Sequence, residues 1–189
     1  MKSSIRSRFC GLLVVLATTN VLSAPKNRES METSCHQFVQ AFYDCYAPIA
    51  DASANPGAKS ESPVLHALTA RRDSVIPRLR QLLIEDESAQ SKANEIVRID
   101  YDPFLFSQDP CERYAAEKVT IRNDRCFVEV HAICQRQRRV KADVTPELGY
   151  QNAHWAFLDF HYGQSSSGGL LNNLKALQRE RTQGHGGAK

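Results

Sequence analysis

Five of the six cysteines, Cys35, Cys45, Cys111, Cys126 and Cys134, lie downstream of an export leader, and that context decides how they are read. Lys2, Arg6 and Arg8 precede an apolar run from Phe9 to Ala17, which ends in the small-residue stretch Val21-Leu22-Ser23-Ala24. A basic start, a short apolar centre and small residues at a cut site make a secretory signal peptide over residues 1–23. A membrane-spanning helix needs roughly 20 apolar residues, and this run is too short. Cys10 leaves with the leader. In an oxidising compartment the other five are read first as bridges rather than nucleophiles.

Spacing prunes the pairings. Cys35 and Cys45 lie ten residues apart on one helix, about 15 Å along its axis. Cys126 and Cys134 lie eight apart on one strand, also beyond disulfide reach. A hairpin turning at Asn123-Asp124 sets Arg113 opposite Cys134 and brings Cys111 near, so Cys111–Cys134 is the expected bridge. Cys126 is left to pair with Cys35 or Cys45, with one thiol free.

The leader also carries the apparent basicity. The whole chain has 24 Lys+Arg against 21 Asp+Glu, and residues 1–23 hold three of those bases and no acid. What remains is formally neutral, which argues against a nucleic-acid-binding protein. The expected organisation is the signal peptide, an N-terminal linker at 24–33, one domain at 34–182 and a disordered tail at 183–189, in a periplasmic or secreted protein without a membrane span. No long linker or internal repeat divides the chain.

Helices come first. Ser34 and Gln37 fit a capping box, followed at helical spacing by Cys35, Phe38, Val39, Phe42, Cys45, Tyr46 and Ile49. Asp51 to Glu61 reads as a loop. Ser62-Pro63 opens a short second helix, and a third begins near Ser74, with Val75, Ile76, Leu79, Leu82 and Leu83 as its apolar face. After Asp100 the period becomes two. Glu117–Ile121 and Cys126–Cys134 alternate, with Cys126, Val128, Val130, Ala132 and Cys134 on one face and Phe127, Glu129, His131 and Ile133 on the other. Val140–Tyr150 and Trp155–Tyr162 read as two more strands, and Ser167–Arg181 as a closing helix. The fold class is α+β: a curved, cone-like antiparallel sheet of about four strands, packed against N-terminal helices, with a C-terminal helix.

The segment Tyr101-Asp102-Pro103-Phe104-Leu105-Phe106-Ser107-Gln108-Asp109 resembles the DPFL-x-x-QD signature of the domain of unknown function 3828 family. An apolar helix like Phe38–Tyr46, a Leu-rich helix like Leu79–Leu83 and a Trp-bearing strand like Trp155–Phe160 agree, so the resemblance spans roughly Phe38 to Leu177. That family is similar to the nuclear-transport-factor-2-like superfamily. The resemblance implies a cone of curved sheet with helices across its mouth and an exported bacterial protein, and it supplies no activity. The chain departs from the pattern in its cysteine count and in having Leu158-Asp159-Phe160 where two consecutive acids are expected.

A sheet of that shape encloses a tapered pocket suited to a small ligand. Tyr101, Asp102, Gln108, Asp109, His131 and Trp155 are the binding candidates. His131, Asp102 and Asp159 are the acid–base candidates of an isomerase, dehydratase or cyclase, since a histidine and a carboxylate projecting together suit proton transfer. The blander account weighs more at each position. Asp102-Pro103 and Asp109-Pro110 start turns, where an Asp bonds nearby backbone N–H groups, and His131 and His161 read as partly buried or solvated. No metal-ligand spacing, phosphate loop or nucleophile elbow occurs, so neither metal nor cofactor is expected. The leading reading is an exported module that binds a small ligand or another exported protein. A pocket enzyme and a structural envelope protein are the alternatives.

Overall fold

In the computed structural model the described residues are 27–54, 62–90, 98–163 and 168–184. The segment expected as a signal peptide lies outside them, as do residues 185–189 of the expected tail, whose Gln183 and Gly184 belong to α4. The order is α1 (Arg28–Ser53), α2 (Pro63–Ala70), a 3-10 turn (Arg72–Ser74), α3 (Pro77–Gln90), β1 (Arg113–Arg122), β2 (Arg125–Cys134), β3 (Gln137–Arg138), β4 (Val144–Gln151), β5 (His154–Tyr162) and α4 (Leu170–Gly184). One open antiparallel sheet runs β1-β2-β4-β5, with β3 added beside β2. This is the expected α+β arrangement.

Helix α1 starts before Ser34. Asn27 is its N-cap, accepting from the Ser30 N–H at 2.7 Å, and Asn is among the best residues for that place. The stretch expected as a linker is therefore helical from Arg28. Ser34 instead donates to the Met31 carbonyl and accepts from the Trp155 indole N–H, each at 3.1 Å. Helix α1 lies against the edge strand β1 and satisfies part of its free backbone. Gln40 accepts from the Ala116 N–H at 2.8 Å and donates to the Tyr114 carbonyl at 3.1 Å, and His36 donates to the Ala116 carbonyl at 2.9 Å. Covering an edge in this way blunts its tendency to pair with another chain.

Helix α3 starts at Pro77 rather than near Ser74. Proline excludes its predecessor from helical geometry. Ile76 donates its N–H to the Phe157 carbonyl at 3.1 Å, and Val75 bridges Phe157 in parallel.

The turns Asn123-Asp124 and Asn152-Ala153 both hold two residues at positive φ, the geometry of a tight hairpin. The β1–β2 register is one residue off the simple count, because a bulge between Ala116 and Val119 shifts it. Arg113 therefore faces Ile133, not Cys134. The bridges nonetheless form between Cys111 and Cys134 and between Cys35 and Cys126, as suits an oxidising compartment. Cys45 keeps a free thiol, with an Arg71 guanidinium nitrogen 3.0 Å from its Sγ.

Between α1 and the sheet lies an aromatic core. Phe42, Tyr43, Phe104, Phe157 and Phe160 are fully buried, and Phe42 packs edge-on against Phe104 and Phe157. The hollow expected inside the sheet's curve is thus filled. Helix α4 packs against α3 and β5 and adds Leu170 and Leu174 to the same core. Its start is held by Asp159, whose Oδ1 accepts from the Leu171 and Phe160 N–H groups, each at 2.8 Å. The Asp159 carboxylate occupies the space where a side chain on Gly169 would begin.

Two stability outcomes follow. In a chain-entropy account the Cys35–Cys126 bridge, with a sequence separation of 91, contributes more than Cys111–Cys134, with a separation of 23: about 4–5 against about 3 kcal/mol. Urea titrations of the two double-Ser variants should rank them in that order. Gly169→Ala should cost about 1–3 kcal/mol through overpacking against Asp159, and the same change should cost less when made in an Asp159→Ala background.

Candidate functional site

The segment from Arg98 to Pro110 crosses from α3 to the sheet and lines an open cleft of about 640 Å³, with the end of α1 and the start of α2 opposite. Its beginning is tied down by a buried carboxylate. Asp86 accepts from the Ile99 N–H at 3.1 Å and from Arg181 of α4 at 2.7 Å.

The next turn is closed on itself and clamped from outside. Asp102 donates its N–H to the Ser107 carbonyl at 2.8 Å. Its Oδ1 accepts from the Phe104 and Leu105 N–H groups at 2.9 and 3.0 Å, and its Oδ2 accepts from the Tyr46 hydroxyl at 2.6 Å. The hydroxyls of Tyr43 and Tyr162 donate to the carbonyls of Phe104 and Pro103, each at 2.8 Å. Burial, with the nearby Asp102 charge for Tyr43 and Tyr46 and the Tyr101 and Tyr43 rings for Tyr162, holds all three phenols well above the ordinary tyrosine range. They are donors only through the protonated hydroxyl. Asp102 is thus a turn residue with its acceptors filled. Its carboxyl is pushed up to about 6 by burial, against the pull of Tyr46 and the two backbone donors.

Tyr101, Asp102 and Gln108 share the cleft lining, together with Glu87, Arg98 and Asp100. Arg98 bonds Glu87 at 2.8 Å, and Gln108 donates to Asp100 at 3.3 Å. The last three charged residues were not singled out by motif. The opposite charges flanking Ile99 are the one local signal for Arg98 and Asp100, and Glu87 has none. Asp109 is not in the lining, and its backbone carbonyl and N–H engage the Ser107 hydroxyl at 2.7 and 3.1 Å.

The remaining candidates stand elsewhere. Trp155 is buried against Ser34. Asp159 caps α4. His161 bonds Glu147 at 3.0 Å on the sheet face that carries Phe127. His131 is buried under the β2–β3 hairpin, its Nδ1 3.0 Å from both the Arg138 guanidinium and the Arg139 carbonyl. Its Nε2 lacks a hydrogen-bond partner, with Glu117 and Glu129 oxygens at 3.7 and 3.9 Å. A proton on Nε2 leaves Nδ1 to accept from Arg138 and points the N–H at the two carboxylates. His131, Asp102 and Asp159 therefore occupy three separate places and assemble no shared acid–base site. Among the described residues no three His, Cys, Asp or Glu side chains are placed to hold a metal ion, and no helix is long and apolar enough to cross a membrane.

No family model matches the chain, and no curated protein or solved structure matches it.

Asp102 imposes a sign on pH dependence. Its folded-state value of about 6 exceeds the ordinary 3.8, so the folded protein binds this proton more tightly. The resulting stability is fully present below about 3.8 and is lost as pH rises through about 6, an effect of about 3 kcal/mol. Denaturant titrations of wild type and Asp102→Asn between pH 3.5 and 7 should show wild type losing ground to the variant by that amount. A constant gap would overturn the assignment.

Proposed function

We propose that this chain is an exported binding module that takes a small polar ligand in the cleft between α1, α2 and the Arg98–Pro110 segment. The observation that carries the proposal is the contrast inside the cleft. Asp102 engages both carboxylate oxygens, one within the turn and one with Tyr46 of α1, whereas Asp100 and Glu87 each use one carboxylate oxygen internally and Arg98 one guanidinium nitrogen. A pre-formed concavity with a few polar groups of unspent capacity is how small-ligand sites are built. Carboxylates beside one guanidinium favour a ligand that is rich in hydrogen-bond donors or zwitterionic.

The basic, apolar and small-residue order of residues 1–23 supports export, and the two disulfides agree with an oxidising destination. The resemblance to the domain of unknown function 3828 family, and through it to the nuclear-transport-factor-2-like superfamily, belongs to this proposal. Its support is the Asp102–Asp109 segment and the order of helices, antiparallel meander and closing helix.

Amide chemical shifts of the chain lacking residues 1–23, recorded against a library of polar metabolites, test the reading. Binders should move the amides of Ile99, Tyr101 and Gln108. Asp100→Ala and Gln108→Ala should each weaken them roughly five-fold, as expected for a lost charged or neutral hydrogen bond, while His131→Gln leaves them unchanged. Shifts that map away from the cleft, or no binder across the library, would remove the proposal.

A further inference from the structure

The β2–β3 hairpin and the arch that follows it lie outside the cleft and concentrate charge in a chain otherwise near balance. Arg136, Arg138, Arg139 and Lys141 fall within six positions. Arg138 is 3.2 Å from Glu117, and Arg139 is 2.6 Å from Asp143. Arg136 and Lys141 are exposed and make no ion pair among the described residues. Val140, between Arg139 and Lys141, is 87% exposed, the most exposed large apolar side chain among those residues.

The hairpin is held firmly. Cys134, at its base, is bonded to Cys111. The Glu112 carboxylate faces the Gln135 and Arg136 N–H groups at 3.4 Å. Arg139 donates its N–H to the Ala132 carbonyl and Asp143 to the Val130 carbonyl, each at 2.9 Å. The chain between those two anchors, Val140 to Ala142, has no such ladder bond and bows out from the sheet. Beside it stands Phe106, 42% exposed. Phe106, Arg139 and Lys141 line a common hollow of about 330 Å³.

Two cations without an ion pair among the described residues and a projecting valine are thus displayed on a backbone that needs little ordering to bind, with Phe106 lining the hollow beside it. Pre-organisation lowers the entropic cost of association, and a basic cluster with apolar neighbours recognises acidic motifs. We propose that this arch is a docking surface for an acidic segment of a protein partner, with carboxylates meeting Arg136 and Lys141 and an adjoining apolar side chain covering Val140 and Phe106. The surface is separate from the cleft and does not depend on the ligand proposed there.

The test uses fluorescent 12-residue peptides in which Glu or Asp alternates with Leu or Phe, titrated with the chain lacking residues 1–23. Peptides with Lys or Arg in the acidic positions serve as the comparison. The acidic set should bind roughly ten-fold tighter or better, with affinity falling as salt rises. Lys141→Glu and Val140→Ser should each weaken binding roughly three-fold or more. Gln108→Ala in the cleft and Arg72→Glu on the 3-10 turn should leave it unchanged. Equal binding of both peptide sets, equal losses in Arg72→Glu and Lys141→Glu, or binding to phosphatidylglycerol-containing vesicles without binding to the peptides would each overturn the proposal.

Discussion

Three buried phenols grip one turn. Tyr43 and Tyr46 come from α1 and Tyr162 from the end of β5, and their hydroxyls meet the backbone or carboxylate of residues 102–104. This ties the first long helix to the last strand through a segment that belongs to neither. It also satisfies carbonyls that would otherwise be buried without partners, each a loss of about 1–3 kcal/mol. Phe104 and Leu105 can then be driven fully into the core. The phenols keep their protons throughout the ordinary pH range, so the clamp's three donors do not change with pH. The one member that titrates is Asp102.

That clamp explains why the sheet's interior is not a pocket. Phe104 meets Phe42 edge-on and lies 5.1 Å from Phe160, so the turn plugs the space that the sheet's curve would leave open. The concavity moves to the outer side of the same segment, where Tyr101, Asp102 and Gln108 line the cleft. The filled core also makes the disulfides easier to understand. Cys35–Cys126 crosses the helix–sheet interface at fully buried positions, while Cys111–Cys134 fastens the exit of the clamped segment to β2.

The parts legible in the sequence were those set by local repetition. Alternation from Cys126 to Cys134 marked β2 and sorted its faces, and Asn123-Asp124 marked its turn, because strand period and turn chemistry act over a few residues. The Cys111–Cys134 bridge was legible for the same reason. Its derivation survived a one-residue register error because both cysteines sit near the open end of the hairpin. What was hidden depended on distant partners. A bulge at Glu117-Lys118 leaves no signature in alternation alone. Ser34 looked like a cap, but Trp155, 121 residues away, claims its hydroxyl. Asp159 resembled an acid–base group until the start of α4 was seen to lean on it. Asp102 was readable as a turn former, and its added tie to Tyr46 was not, since nothing in the helical stripe distinguishes a phenol that packs from one that also donates.

The same turn separates two surfaces. Asp102, Ser107 and Gln108 line the cleft, while Phe106, between them in sequence, lines the hollow beside the basic arch. Phe106 sits at φ 49, outside the usual range for a bulky residue, where the turn closes back on Asp102. Its ring is steadied by stacking on Tyr162 at 4.4 Å and by an edge contact with Tyr101 at 5.0 Å. Tyr162 therefore does two jobs: its hydroxyl holds Pro103 and its face holds Phe106. Loosening the grip on Pro103 would free the ring that borders the arch as well as the turn that floors the cleft. The two surfaces share a single mechanical support, and a substitution at Tyr162 should be felt at both.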